Sequence, residues 1–179
     1  MKEHTTKDGQ KFIIRQPTEN DAEGIIDYSK ILFASTDQVL TTLEEYAITV
    51  QQERNWIRNF NEDVNSIVLI AEVKHRIAGL LFFVAGGKKK NAHTGELGIS
   101  VHPEYQRLGI GRQLIQSLIE WAQKNPTIEK IFLNVFASNQ KAIHLYKALG
   151  FVEEGRFFRA IKQPDGAYVD VLQMYFMTK

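Results

Sequence analysis

A short turn rich in glycine has the residue types and spacing that most directly suggest a chemical role. The segment Gln106–Arg112 reads Gln-Arg-Leu-Gly-Ile-Gly-Arg and separates an apolar run ending near Val101 from a stretch with helical periodicity. Backbone N–H groups at a helix start have no partner within the helix and carry the positive end of its dipole. Glycines let an anion approach those groups, and Arg107 and Arg112 add positive charge. The pattern predicts a pyrophosphate-binding site.

Three other interpretations of this turn are possible. A dinucleotide-binding fingerprint needs glycine or alanine three residues after Gly111, where the chain has Leu114. A P-loop needs Gly-Lys-Ser/Thr, which the turn lacks. A glycine-rich turn that serves only for packing stays open on these residues alone.

Glu96 is a candidate general base in the apolar run that precedes the turn. Strand alternation puts Glu96, Gly98 and Ser100 on one face. Gly98 leaves space beside the carboxylate, which we expect to be partly desolvated and able to accept a proton. A surface or salt-bridged glutamate is the alternative. Three nearby ionisable side chains are expected to face solvent: His93, His102 and Glu104.

The composition excludes several classes of protein. The chain has 179 residues, of which 44% are hydrophobic, and a formal net charge of +1, so it lacks the charge that favours nucleic acid or anionic membranes. It has no cysteine, which excludes disulfides, thiolate metal sites and a cysteine acyl-enzyme. No histidine pair has convincing metal-ligand spacing, so no metal is expected. Without a signal or membrane-length apolar segment, we expect a cytoplasmic protein with one domain over residues 1–179.

Hydrophobic periodicity and turn residues indicate a mixed α/β order of elements. Predicted strands cover about 12–16, 66–73, 77–85, 95–101, 128–136, 151–158 and 168–177. One predicted helix follows capping residues at 18–21, and others cover about 42–60, 109–124 and 139–149. The strands at both ends of the chain are expected to form antiparallel meanders.

Gln106–Gly111 resembles the Gln/Arg-x-x-Gly-x-Gly/Ala motif of the GNAT acetyltransferase superfamily. Val101-x-Pro103-x-Tyr105 precedes it as in that family, and Asn139–Phe151 is similar to the family's second cofactor segment. Two further stretches, 150–155 and 168–171, resemble the branch of ribosomal-protein Nα-acetyltransferases and spermidine acetyltransferases. The resemblance implies a GNAT-like fold, with a mostly antiparallel twisted sheet of about seven strands flanked by about four helices.

The resemblance also implies an activity and its site residues. It implies direct transfer of an acetyl group from acetyl-CoA to a primary amine in a ternary complex, with Tyr146 as the general acid. A core tyrosine with a satisfied hydroxyl is the alternative for Tyr146. Ile99 and Val101 would border a β-bulge and pair with the pantetheine arm, and Asn139 would contact the cofactor, cap a helix, or do both. The cofactor-binding residues implied are Ile99, Val101, Gln106, Arg107, Leu108, Gly109, Ile110, Gly111, Arg112, Asn139 and Tyr146.

The sequence leaves the acceptor and the wider role open. A small-molecule amine, a polyamine and a peptide α-amine are all compatible with the sequence as acceptors. The resemblance to the GNAT superfamily implies a possible homodimer. A non-catalytic acyl-CoA sensor or interaction domain on the same fold is an alternative. A nucleotide-binding α/β protein is disfavoured by Leu114 and by the antiparallel ends.

Overall fold

Eight strands and four α-helices form the computed structural model, which describes residues 2–179. The strands are Lys2–Thr5 (β1), Lys11–Arg15 (β2), Ile67–Val73 (β3), Arg76–Ala85 (β4), Thr94–Val101 (β5), Lys130–Phe136 (β6), Val152–Lys162 (β7) and Tyr168–Met177 (β8). The helices are Ala22–Ser35 (α1), Val50–Glu62 (α2), Ile110–Lys124 (α3) and Gln140–Lys147 (α4). Short 3-10 turns occur at Glu19–Asp21 and Pro103–Tyr105.

The strands form one sheet in the order β1-β2-β3-β4-β5-β6-β8-β7. All neighbours are antiparallel except β5 and β6, which are parallel. The predicted mixed sheet and its four helices are confirmed, with one strand more than the seven predicted. The additional strand is β1, whose residues Lys-Glu-His-Thr have no apolar run and pair with β2 in register Lys2↔Ile14.

The hairpin of β3 and β4 places β4 beside β5 in the sheet. Its two-residue turn has positive φ at Lys74 (48°) and His75 (62°), the twist that tight hairpins favour. The register shifts by one residue between Ala71 and Glu72, because Ala71 pairs with Gly79 and Glu72 with Ile77.

The sheet has helices on both faces, and alternation along β3 shows the division. Leu69 and Ala71 join the cluster that includes α3 and α4, whereas Ile70 packs with Ile25 of α1 and Ile57 of α2. Each fully buried leucine or isoleucine side chain contributes about 1.5–3 kcal/mol to the stability of the fold. The apolar stripe predicted for α3 is entirely buried: Ile110, Leu114, Ile115, Leu118 and Ala122.

The helix predicted from about residue 42 to 60 is wrong at its start, because α2 begins at Val50. Thr49 caps it in a reciprocal pair with Gln52. Thr42 and Glu45 form a similar local pair, but Leu43 and Ile48 remain exposed, so this turn has no apolar face that would extend a helix. Residues 36–49 are therefore a long connection rather than helix.

β5 and β6 separate within the sheet. Their pairing extends only from Thr94↔Lys130 to Glu96↔Phe132. Beyond Glu96, β5 stays paired with β4 as far as Val101↔Gly79, and β6 stays paired with β8 as far as Phe136↔Val171. The sheet thus splits into two arms, and one backbone edge of β5 faces the gap.

Among residues 2–179, none of the helices combines the length and apolar character needed to span a lipid bilayer.

Candidate active site

The turn Gln106–Arg112 leads into α3 with an unpaired row of backbone donors. Within residues 2–179, none of the six N–H groups from Arg107 to Arg112 donates to a protein acceptor. The first amide after them, that of Gln113, is already bonded to the Gly109 carbonyl at 3.2 Å. Six free amides at the positive end of a helix form a strong anion-binding geometry.

Two left-handed residues give the turn its shape. Arg107 has φ +65° and Gly109, which precedes α3, has φ +94°. Glycine adopts such a conformation at no steric cost, which accounts for its presence at the helix start. The Leu108 carbonyl accepts a hydrogen bond from the Lys7 amide at 3.0 Å, so the loop between β1 and β2 fastens the turn.

The two arms of the sheet both line a cavity of about 610 Å³. It contains the predicted residues Glu96, Ile99, Asn139 and Tyr146 in its walls. The predicted phosphate turn is not part of this cavity but adjoins the same groove. A Cβ at Gly111 would lie 3.4 Å from Val101 and 3.6 Å from Leu145, neighbours of cavity residues in β5 and α4.

Tyr146 is a buried residue of α4 whose hydroxyl is available to the cavity. The residue is 7% exposed, and its ring packs against Phe151 with centroids 5.8 Å apart. Burial raises the pKa of the Tyr146 phenol to about 12, because the phenolate would be poorly solvated. No group in the described part of the chain hydrogen-bonds this hydroxyl. Tyr146 can therefore present a proton to a group in the cavity at neutral pH.

Glu96 lines the cavity from the other end of the β5 gap. Its carboxylate accepts a hydrogen bond from Asn134 Nδ2 at 3.0 Å, across the point where β5 and β6 separate. The residue is exposed rather than partly desolvated, so that expectation is wrong. The space predicted beside Gly98 is largely filled, since the Phe82 ring would lie 2.2 Å from a Cβ placed there. The carboxylate consequently faces the open part of the cavity and water.

Ile99 and Val101 lie on the free edge of β5, but the expected bulge is not in the register. Pairing with β4 runs one to one from Ala85↔Gly95 to Gly79↔Val101. The irregularity lies in β4 instead, and the opening on the β6 side comes from the early end of the parallel pairing. The edge alone is sufficient to offer strand-like hydrogen bonds to an extended chain.

Asn139 caps α4, its side chain accepting the Ala142 amide at 3.2 Å. Its side chain also lines the cavity, so the cap and a ligand contact are compatible.

Three ionisable residues near the turn were expected to face solvent, and this expectation is wrong for His102, which is buried. His93 and Glu104 are exposed, but His102 is 4% exposed and accepts the Glu104 amide at Nδ1. Desolvation lowers the pKa of the His102 imidazole. Residues 2–179 contain no group of three or more side chains of His, Cys, Asp or Glu that could hold a metal ion.

Several features of the cavity depend on long-range contacts and were not predicted from the sequence. Asn134 approaches Glu96 from 38 residues away, and Ser100 shares a 2.8 Å hydrogen bond with the buried Tyr28 hydroxyl. The 36–49 connection, predicted partly as helix, supplies cavity residues 38–41. Nothing in the local sequence signals these approaches.

Comparison with known proteins agrees with this geometry. The model of the Acetyltransferase (GNAT) family matches residues 33–151, about two thirds of the chain. A solved acetyltransferase of the GNAT family from Streptococcus pneumoniae superposes with a TM-score of 0.90 at 28% identity, covering 93% of this chain and 99% of that one.

Curated relatives match over parts of the chain. A spermidine N(1)-acetyltransferase of Vibrio cholerae is 37% identical over 84 residues, 47% of this chain and 48% of the relative. A [ribosomal protein bS18]-alanine N-acetyltransferase of Escherichia coli is 47% identical over 55 residues, 31% of this chain and 36% of the relative. The chain thus matches less than half the length of each, and both names fall in the two branches that the sequence resembles. On the family match and the shared fold, the chain belongs to the GNAT acetyltransferase family.

Proposed function

We propose that this protein is an N-acetyltransferase that moves an acetyl group from acetyl-CoA directly to a primary amine. The observation that carries the proposal is the convergence of two features on one groove. Six unpaired amides of the turn adjoin the gap between β5 and β6, where Tyr146 and Glu96 face one cavity. We assign the whole activity to one domain, because all eight strands belong to one sheet.

Each part of the groove fits one part of the cofactor. The diphosphate would lie on the amides of Arg107–Arg112, with the Arg107 and Arg112 side chains adding charge. The pantetheine arm would extend along the free edge of β5 beside Ile99 and Val101, and the thioester would reach Tyr146. Gln106 closes the turn onto the end of β5 through a 3.3 Å hydrogen bond to the Val101 carbonyl.

The residues of the cavity supply the proton transfers. The amine nitrogen forms a bond to the thioester carbonyl carbon, and the carbon–sulfur bond then breaks. The acceptor nitrogen loses two protons as the ammonium group becomes an amide. Glu96 accepts the first proton, directly or through water, before the attack. The Tyr146 hydroxyl donates a proton to the departing sulfur, and the second nitrogen proton restores the phenol. The chain has no cysteine, so no thiol of its own could carry the acetyl group in between.

The proposal is tested by amine-dependent release of free CoA from acetyl-CoA. Initial rates measured at several concentrations of both substrates should give intersecting double-reciprocal lines, because both substrates must be bound together. Parallel lines would contradict direct transfer. Tight acetyl-CoA binding with no CoA release over a broad panel of amines would favour the non-catalytic sensor instead.

Replacing Glu96 with glutamine should lower kcat about 100-fold or more at neutral pH, because the neutral amide cannot accept the proton that the amine loses. Initial rates of CoA release at saturating acetyl-CoA and varied amine check this expectation.

Glu104→Gln is the matched control for this change. Glu104 is also an exposed glutamate, it pairs with Arg76 at 3.4 Å, and it lies outside the cavity. The control should keep the wild-type rate. A wild-type rate in Glu96→Gln would transfer the role to water or to another group.

A further inference from the structure

The cavity between β5 and β6 is lined mainly by uncharged residues. Of the described residues that line it, Glu96 alone has a side chain charged at neutral pH. The rest of the lining is mostly apolar and comes from α1, the 36–49 connection and the strands, with Leu32, Phe33, Leu80, Phe82 and Ile161 as examples. Polar groups are few and neutral, among them Ser29 and Ser100.

We infer that the acceptor is a small primary amine with a single positive charge on an uncharged, mainly apolar body. The inference rests on the proposed function and narrows its substrate class. One ammonium group matches the one carboxylate of Glu96, and the body of the acceptor matches the apolar wall.

The charges of the lining residues disfavour polyamines and free amino acids as acceptors. A polyamine would bring a second ammonium group into a cavity with no second carboxylate. A free amino acid would bring a carboxylate toward Glu96, where no cationic side chain among the described lining residues could pair with it. The second ammonium group of a polyamine would have to lie unpaired against the apolar wall, which carries a heavy free-energy cost. The carboxylate of an amino acid would be repelled by the like-charged Glu96.

The cover of the cavity favours a small acceptor over an extended peptide. Ser138 donates a hydrogen bond to the Gln38 side chain at 3.0 Å, and Gln163 donates to the Asp37 carbonyl at 3.4 Å. The 36–49 connection is therefore fastened to the loop before α4 and to the end of β7. These links hold the connection in place as a wall of the cavity, whose volume of about 610 Å³ is that of a small-molecule site.

Two matched pairs of amines test the inference. Free phenylalanine differs from phenethylamine by one carboxylate, and hexamethylenediamine differs from hexylamine by one ammonium group. In each pair the monoamine should have a kcat/KM higher by about tenfold or more, because the second ammonium group would lie unpaired against the apolar wall and the carboxylate of phenylalanine would lie beside the like-charged Glu96. Values within about threefold in either pair, or a short peptide acetylated better than either monoamine, would overturn the inference.

Calorimetry keeps this test separate from the test of activity. The four small amines are titrated into the complex of the protein with CoA, which needs no turnover. Preference for the monoamines in binding, without acetylation, would support the selectivity and reject the proposed reaction. Acetylation with equal binding and equal kcat/KM within each pair would support the proposed reaction and reject the selectivity.

A charge introduced at the cavity rim should shift the preference. Leu40 lines the cavity and is 74% exposed, so Leu40→Glu should fold and place a second carboxylate there. The ratio of kcat/KM for hexamethylenediamine to that for hexylamine should rise about fivefold or more. Val64→Glu is the control, because Val64 is 80% exposed and outside the cavity, and its ratio should stay at the wild-type value. An equal ratio in both variants would show that cavity charge does not select the acceptor.

Discussion

Replacing Tyr146 with phenylalanine should lower kcat about 100-fold or more while leaving the Kd for acetyl-CoA close to the wild-type value. The substitution removes one oxygen atom and keeps the ring, which packs against Phe151. The fold should therefore survive, because the hydroxyl has no hydrogen-bond partner among the described residues to lose. The effect should fall on the step in which the sulfur leaves as a thiolate and needs a proton.

The pH profile adds a second readout for Tyr146. Burial raises the pKa of its phenol to about 12, so the hydroxyl stays protonated below that pH and is lost as a donor only above it. Wild-type kcat should consequently show no alkaline fall due to Tyr146 at neutral or mildly alkaline pH. Single-turnover and steady-state rates of CoA release, together with calorimetric titration of acetyl-CoA, check both expectations.

Tyr175→Phe is the matched control. Tyr175 lies on β8 outside the cavity, with Lys130 4.8 Å from its ring centroid. Loss of its hydroxyl should leave kcat unchanged. Wild-type turnover by Tyr146→Phe would remove the general-acid assignment and return Tyr146 to a packing role.

Replacing Gly111 with aspartate should weaken acetyl-CoA binding about 100-fold or more, because a carboxylate then stands where the diphosphate must approach. Gly111 is the second residue of α3, and a Cβ there would make only ordinary contacts with Val101 and Leu145. An acidic side chain in the first turn also stabilises the helix through its dipole. Thermal stability without ligand should therefore be retained while the affinity falls.

Gly111→Asn separates charge from size in this experiment. Asparagine has nearly the same shape as aspartate without its charge, so the affinity lost in Gly111→Asp beyond that in Gly111→Asn measures the electrostatic part. Calorimetry with acetyl-CoA and a thermal melt of each unliganded variant give both quantities. A folded Gly111→Asp protein with undiminished affinity would disprove diphosphate binding at this turn.

Elements specified by neighbouring residues were predictable. The apolar stripe of α3 and the glycine that begins it depend on spacings of one to four residues, and the helix runs as predicted. The pair formed by Thr18 and Asp21 likewise caps the 3-10 turn that leads into α1. The start of α2 was mispredicted because Thr42 forms a similar local pair with Glu45, and only the absence of an apolar face prevents a helix there.

By itself, the sequence determined the family, and it predicted a phosphate-binding turn and roles for Tyr146 and Glu96, since these rest on local patterns and on a motif. The tertiary structure decided what surrounds them. The early end of the β5–β6 pairing, the Asn134 contact with Glu96 and the burial of His102 each join segments distant along the chain. Such contacts depend on how the sheet and helices pack together, and packing geometry leaves no periodic signal in the residues that it brings into contact.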